Sequence, residues 1–173
     1  MLLKRFLFLF LGFTIISFGA SLSINVQYIG LEPWSAAVVG FSNLSLTYGV
    51  WNILIQSIFL ILTYLMEKRL PRIGTIINSF YVSFLIDLFI YLDFIPNSDN
   101  HVMNLMIFLL SIVICGIGAS MAISTDLGGG AKTQFYVTAS SYFSLNIMFS
   151  KNIMECIGLS LAIIVGGPIF IGS

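Results

Sequence analysis

The chain of 173 residues is 58% hydrophobic and only 8% charged, and its seven basic and seven acidic residues cancel. An ordinary soluble domain carries about 25% charged residues; a chain this poor in polar surface cannot wrap a core in water, so its solvent is lipid. Zero net charge and the lack of a basic, aromatic-interleaved face exclude a nucleic-acid partner.

A spanning helix needs about 20 mostly apolar residues to cross a hydrocarbon core of about 30 Å. The first such run covers residues 6–25. Its basic start, Lys4-Arg5, and its small-residue end, Gly19-Ala20-Ser21, look like a secretory signal. The same tripeptide closes a mid-chain run as Gly118-Ala119-Ser120, where no cleavage signal can be meant, so the first run is read as a retained helix. A loop, Ile29-Gly30-Leu31-Glu32-Pro33-Trp34, leads into a segment over 34–46 that is too short and polar to cross. In that loop Trp34 is expected to anchor at the membrane interface, as indoles do. Spans follow over 48–66 and 74–92, separated by Lys68, Arg69 and Arg72. Residues 96–102 form an external loop. Asp93, Asp99 and His101 lie in or beside it with Pro96 and Asn97, and a solvated loop is expected there rather than a cation site. A fourth span over 103–125 falls into Asp126-Leu127-Gly128-Gly129-Gly130-Ala131, followed by a second short segment over 133–145 and a fifth span over 149–166. Cys115 and Cys156 each sit inside an apolar run and read as packed or lipid-facing thiols, not as a disulfide or metal pair.

The two halves echo one another. Leu44-Ser45-Leu46-Thr47 answers Phe143-Ser144-Leu145-Asn146, and Asn52 and Gln56 answer Lys151 and Glu155. Pro71-Arg72-Ile73-Gly74-Thr75 answers the closing Pro168-Ile169-Phe170-Ile171-Gly172-Ser173. Repetition on this scale decides architecture. Residues 1–95 read as a first repeat of three spans plus one short helix. Residues 103–173 read as a second, with two spans, a short helix and no counterpart of 74–92, and are expected to be truncated relative to the ancestral unit. With a cytoplasmic N-terminus and non-crossing short segments, all seven cations fall inside: Lys4, Arg5, Lys68, Arg69, Arg72, Lys132 and Lys151. Glu32, Asp93, Asp99 and His101 fall outside, as the positive-inside bias favours. The short segments are then re-entrant or interfacial. Three spans is an odd number, so the second repeat starts on the opposite side. The expected fold class is an all-α multi-pass membrane protein of inverted repeats, a plan typical of secondary transporters with a midplane site. Non-helical backbone at that depth survives only beside a cavity or inside protein, which marks Gly30, Pro33, Gly128, Gly129 and Gly130 as loop hinges.

The Ile29-Gly30-Leu31-Glu32-Pro33-Trp34 loop, matching a Leu-Gly-x-Gly-Pro-Trp pattern after a first helix, the Gly74-Thr75 start of a helix carrying Ile86-Asp87-Leu88-Phe89, and the second Leu127-Gly128-x-Gly130 loop together resemble the YczE-like bacterial integral membrane proteins, in the YczE/YyaS/YitT grouping. The likeness runs from about residue 12 to the end. It implies a multi-pass protein of the bacterial plasma membrane and points to Gly30, Pro33, Trp34, Gly74, Asp87, Gly128, Gly130 and Glu155. The chain departs from the pattern at Glu32, where a glycine is expected, at Ser35 and Thr133, where aspartates are expected, and at Ala131, where a proline is expected. The grouping also continues through a further helix.

Asp87 is a carboxylate inside a spanning run, several residues from either end, and such residues face a cavity or a partner. Thr75, Ser79, Ser83 and Asp87 recur every four residues and share one face. That stripe is either a hydrated pathway or a helix-packing seam. Lys151 and Glu155 share a helix face at i, i+4, where they can pair with each other; Asn52 and Gln56 repeat the spacing in the first half. Gly12, Gly19, Gly116 and Gly118 permit close helix approach. No nucleophile-base set, cofactor fingerprint or metal-ligand cluster emerges, so the chain is expected not to be an enzyme. Two functions compete. One is binding or transport of a small solute or ion along a lining of Ser79, Ser83, Asp87, Asn52, Gln56, Lys151 and Glu155. The other is a scaffold or accessory subunit that docks a partner helix or a second copy within the bilayer.

Overall fold

A computed structural model describes residues 2–93 and 100–170. Among them are seven helices and no strand: α1 (Leu2–Asn25), α2 (Pro33–Leu44), α3 (Tyr48–Glu67), α4 (Ile73–Tyr91), α5 (His101–Ser124), α6 (Ala131–Tyr142) and α7 (Ile147–Ile164). Five of these, α1, α3, α4, α5 and α7, are long and apolar enough to cross a membrane. The other two, at twelve residues each, are about 18 Å long and too short to cross. Each predicted span and both short segments appear within a few residues of their expected limits. Pro96, Asn97, Asp99, Gly172 and Ser173 lie outside the described residues.

Local chemistry sets the helix starts. Thr47, Asn100 and Asn146 cap α3, α5 and α7 by accepting the N–H groups of Val50, Val102 and Met148, the usual work of short polar residues before a helix. Pro33 opens α2, where its missing N–H costs nothing. Three backbone kinks with positive φ recur at one constant interval along the chain: Gly30 (141°) and Gly128 (127°), Leu46 (61°) and Ser144 (54°), Lys68 (52°) and Gly166 (68°).

The most extensive helix–helix contact is the crossing of α1 and α5. A Cβ on Gly12 would lie 2.9 Å from the Gly118 carbonyl oxygen, and one on Gly118 would lie 2.7 Å from that of Gly12. The backbones therefore touch, as small-residue crossings allow. Further along, Gly19 meets Cys115, the Ser23 and Ser111 hydroxyls hydrogen-bond at 2.6 Å, and Leu22 and Val26 pack with Ile107. Positions rise in α1 as they fall in α5, so the two helices run antiparallel. Around this pair α2 packs on α7 and α3 on α6, while α4 lies against α1 and α3.

The apolar core sits where the short helices meet the long ones. Trp34 of α2 packs edge-on to Phe59 of α3, and Phe59 continues to Phe135 of α6. Gly158 of α7 lets the indole come close, since a Cβ there would lie 3.0 Å from the ring. Trp34 is only 6% exposed, which overturns its expected place at the membrane interface. The short helix carrying it runs through the interior, and burial of so large a ring against Phe59 outweighs anchoring at the rim.

Candidate functional site

α1 ends level with Ile107 of α5, more than a turn inside the α5 start at His101. The loop after α1 therefore turns back into the bundle, and Gly30 gives it the positive φ it needs. α2 begins there, in the interior. The loop between α5 and α6 does the same from the other end: the Gly74 N–H donates to the Leu127 carbonyl at 3.0 Å, and Arg72 pairs with Asp126 at 2.9 Å. As a result, the N-termini of α2 and α6 meet across a polar cavity of ≈ 810 Å³.

The cavity lining joins residues from opposite halves. Glu32, Pro33 and Ser35 come from the start of α2, and Gly130, Lys132 and Thr133 from the start of α6. Asn52 and Gln56 of α3 and Lys151 and Glu155 of α7 complete the wall, with Asn78 of α4, Tyr136 of α6 and Cys115 of α5. Neither α2 nor α6 has a side-chain cap on its first turn. Their unpaired N–H groups carry the positive end of each helix dipole toward the cavity.

Lys132 donates to Glu32. Charge counting had set these two residues on opposite sides of the membrane. Their contact corrects that placement, because both short helices start inside the bundle. Lys132 holds the Glu32 carboxyl below the usual carboxylate range, against the opposing pull of burial. The pair foreseen between Lys151 and Glu155 does not form: Glu155 Oε1 instead accepts the Tyr136 hydroxyl at 3.0 Å, and its buried Oε2 receives no hydrogen bond. Lys151 makes no ion pair among the described residues.

The stripe on α4 divides between two roles. Ser83 accepts from the Asn52 amide at 2.9 Å, and Ser79 donates to the Gln56 carbonyl at 3.3 Å, so both serines stand behind the cavity wall and orient its amides. Thr75 donates to Gln134 of α6 at 2.9 Å. Asp87 is not in the lining of the central cavity. It accepts the Thr47 hydroxyl at 2.5 Å and the Gly49 N–H at 2.6 Å, and so fastens the start of α3 to α4. It also borders a separate groove of ≈ 670 Å³ with Gln27, Ser42 and Asn43. The structure thus gathers Asn52, Gln56, Lys151 and Glu155 in one place, with Ser79 and Ser83 behind them and Asp87 elsewhere.

Sequence reasoning missed Asn78, Lys132 and Tyr136 as parts of this wall. Asn78 had a legible signal, an amide in an apolar helix one position before Ser79; Tyr136 had none. Among the described residues no group of three or more His, Cys, Asp or Glu side chains gathers. Both cysteines are free thiols, Cys115 packed against Gly19 and Cys156 exposed.

The chain belongs to a family of unknown function, DUF6198, whose model matches residues 3–173. It is 30% identical to the uncharacterized membrane protein YczE of Bacillus subtilis (strain 168) over 173 residues, covering 99% of this chain and 80% of that protein. It is 28% identical to the uncharacterized protein YyaS of the same organism, over 98% of this chain and 85% of the other. No solved structure matches. The family bears out the resemblance drawn from the loop motifs, and with five apolar spans it makes this a membrane protein.

Proposed function

We propose that the protein binds a small solute between two oppositely oriented halves and passes it across the bacterial plasma membrane. The observation that carries this reading is the meeting of the uncapped α2 and α6 N-termini over one polar cavity. Inverted-repeat transporters build their sites from such interrupted helices. Three features support two opposed halves. The α1–α5 crossing is antiparallel. Exchanging α1 with α5, α2 with α6 and α3 with α7 turns the α2–α7 contact into the α6–α3 contact and the α2–α3 contact into the α6–α7 contact. The three pairs of positive-φ positions keep one interval. Nothing in the wall supplies a nucleophile with its base, so the reading is of binding and passage and not of catalysis.

The test uses a cysteine at Thr133, an exposed residue of the cavity wall, in a protein lacking Cys115 and Cys156. Membrane-impermeant methanethiosulfonate reagents should label Thr133→Cys in vesicles of either orientation. Labelling by lipophilic maleimides alone would mean the cavity is closed to water and would defeat the proposal.

One observation favours a second reading, a subunit that docks a helix. α7 is buried over only 17% of its apolar window and turns Asn152, Cys156 and Ser160, spaced by four, onto an outer groove of ≈ 520 Å³. Oxidative cross-linking through Cys156 in native membranes should trap a dimer if a second copy lies there; a monomer after full oxidation argues against one.

A further inference from the structure

We infer that the central cavity takes a small zwitterion, a solute carrying one carboxylate and one ammonium group in the manner of an α-amino acid. This rests on the reading that the cavity holds a solute, and it names the chemistry of that solute. The wall offers unsatisfied groups of both signs. On the donor side, the first-turn N–H groups of Ser35, Lys132 and Thr133 have no acceptor within their helices, and neither helix is capped by a side chain. Lys151 adds a cation engaged in no ion pair among the described residues. Helix starts of this kind hold carboxylate or phosphate oxygens.

On the acceptor side, Glu155 Oε2 is buried and receives no hydrogen bond. Between these lies Asn78, 7% exposed and facing the cavity, whose side chain makes no hydrogen bond among the described residues. Its amide opens onto the cavity and can both donate and accept. A simple anion would satisfy the helix starts and Lys151 but would face Glu155. A simple cation would satisfy Glu155 but would face two helix N-termini and Lys151. A solute carrying both charges meets each group with its opposite, and ≈ 810 Å³ holds such a molecule with water.

The test is ligand-dependent thermal stabilisation of the full chain in lipid nanodiscs, with three probe sets. Glycine, alanine, leucine and glutamine carry both charges; acetate and butyrate carry the carboxylate alone; methylamine and butylamine carry the ammonium alone. At least one amino acid should raise the melting temperature while no singly charged probe does. Glu155→Gln, nearly identical in shape, should weaken that binding about tenfold or more, and Asn78→Ala should weaken it too. Cys156→Ser, outside the cavity, should leave it unchanged. Stabilisation by acetate and butyrate alone would overturn the zwitterion and leave the solute site standing. No stabilisation by any probe would also overturn it, and labelling of Thr133→Cys then tells whether the solute site falls as well.

Discussion

At the scale of single residues, two carboxylates inside spanning helices have parted ways. Asp87 caps α3 through Thr47 and Gly49, whereas Glu155 keeps a free oxygen beside the cavity. Asp87→Ala should therefore cost about 1.5–3 kcal/mol of stability, the range for hydrogen bonds to a charged group, seen as a lower melting temperature with solute affinity unchanged. A variant that kept its melting temperature but lost binding would reverse this assignment. Glu32 gives a pH signature. Its folded pKa is depressed by Lys132, so its contribution is complete above the ordinary value of 4.5 and drains away as the pH falls through the folded value. Melting curves followed from about pH 6 to below about pH 3.5 should show Lys132→Met losing less stability on acidification than the parent; parallel curves would refute the link. The sequence revealed that a mid-span carboxylate must have a partner, but the partner of Asp87 sits on another helix at a register no periodicity encodes. The same holds for Glu32 and Lys132, a hundred positions apart.

At the scale of elements, reading the sequence went furthest. Hydropathy and length located all five spans, and lack of length exposed α2 and α6 as non-crossing. The stripe of Thr75, Ser79 and Ser83 was legible as one face, yet its two meanings could be separated only by the neighbours: Gln134, Gln56 and Asn52 make it a seam. The loops before the short helices are where glycine is indispensable. Gly128 combines a φ of 127° with contact to Thr75, whose Oγ1 would lie 2.7 Å from an added Cβ, whereas a Cβ on Gly129 meets nothing within 4 Å. Gly128→Ala should lower folded yield and melting temperature by the equivalent of about 1 kcal/mol or more, while Gly129→Ala should match the parent. Equal loss in both would show that the loop as a whole resists side chains.

At the scale of the whole molecule, most basic residues gather at one end. Antiparallel packing of α1 and α5 puts Lys4 and Arg5 at the end where α5 finishes. The Arg72–Asp126 pair brings Lys68, Arg69 and Arg72 to that same end. Five of the seven basic residues thus lie together, with Asp93 and His101 at the other end. The proposed topology follows the positive-inside bias and puts the basic end in the cytoplasm. Cysteines placed at Arg69 and at His101 should react with impermeant reagents from opposite sides, Arg69→Cys from the cytoplasm; the reverse would invert the proposed topology. The glycine crossing is the other global feature. Gly118→Leu would force α1 and α5 apart, because even its Cβ would lie 2.7 Å from the Gly12 carbonyl oxygen, and resistance to detergent denaturation should collapse.

The salt bridge joining the two short helices has a consequence for how tightly anything can be held. On the proposed reading Glu32 competes with any bound solute, because its carboxylate neutralises Lys132 between the facing helix tips. An incoming molecule gains only the margin by which its own contacts exceed those of this resident counter-charge. On the proposed reading, such a resident counter-charge favours quick exchange over long residence.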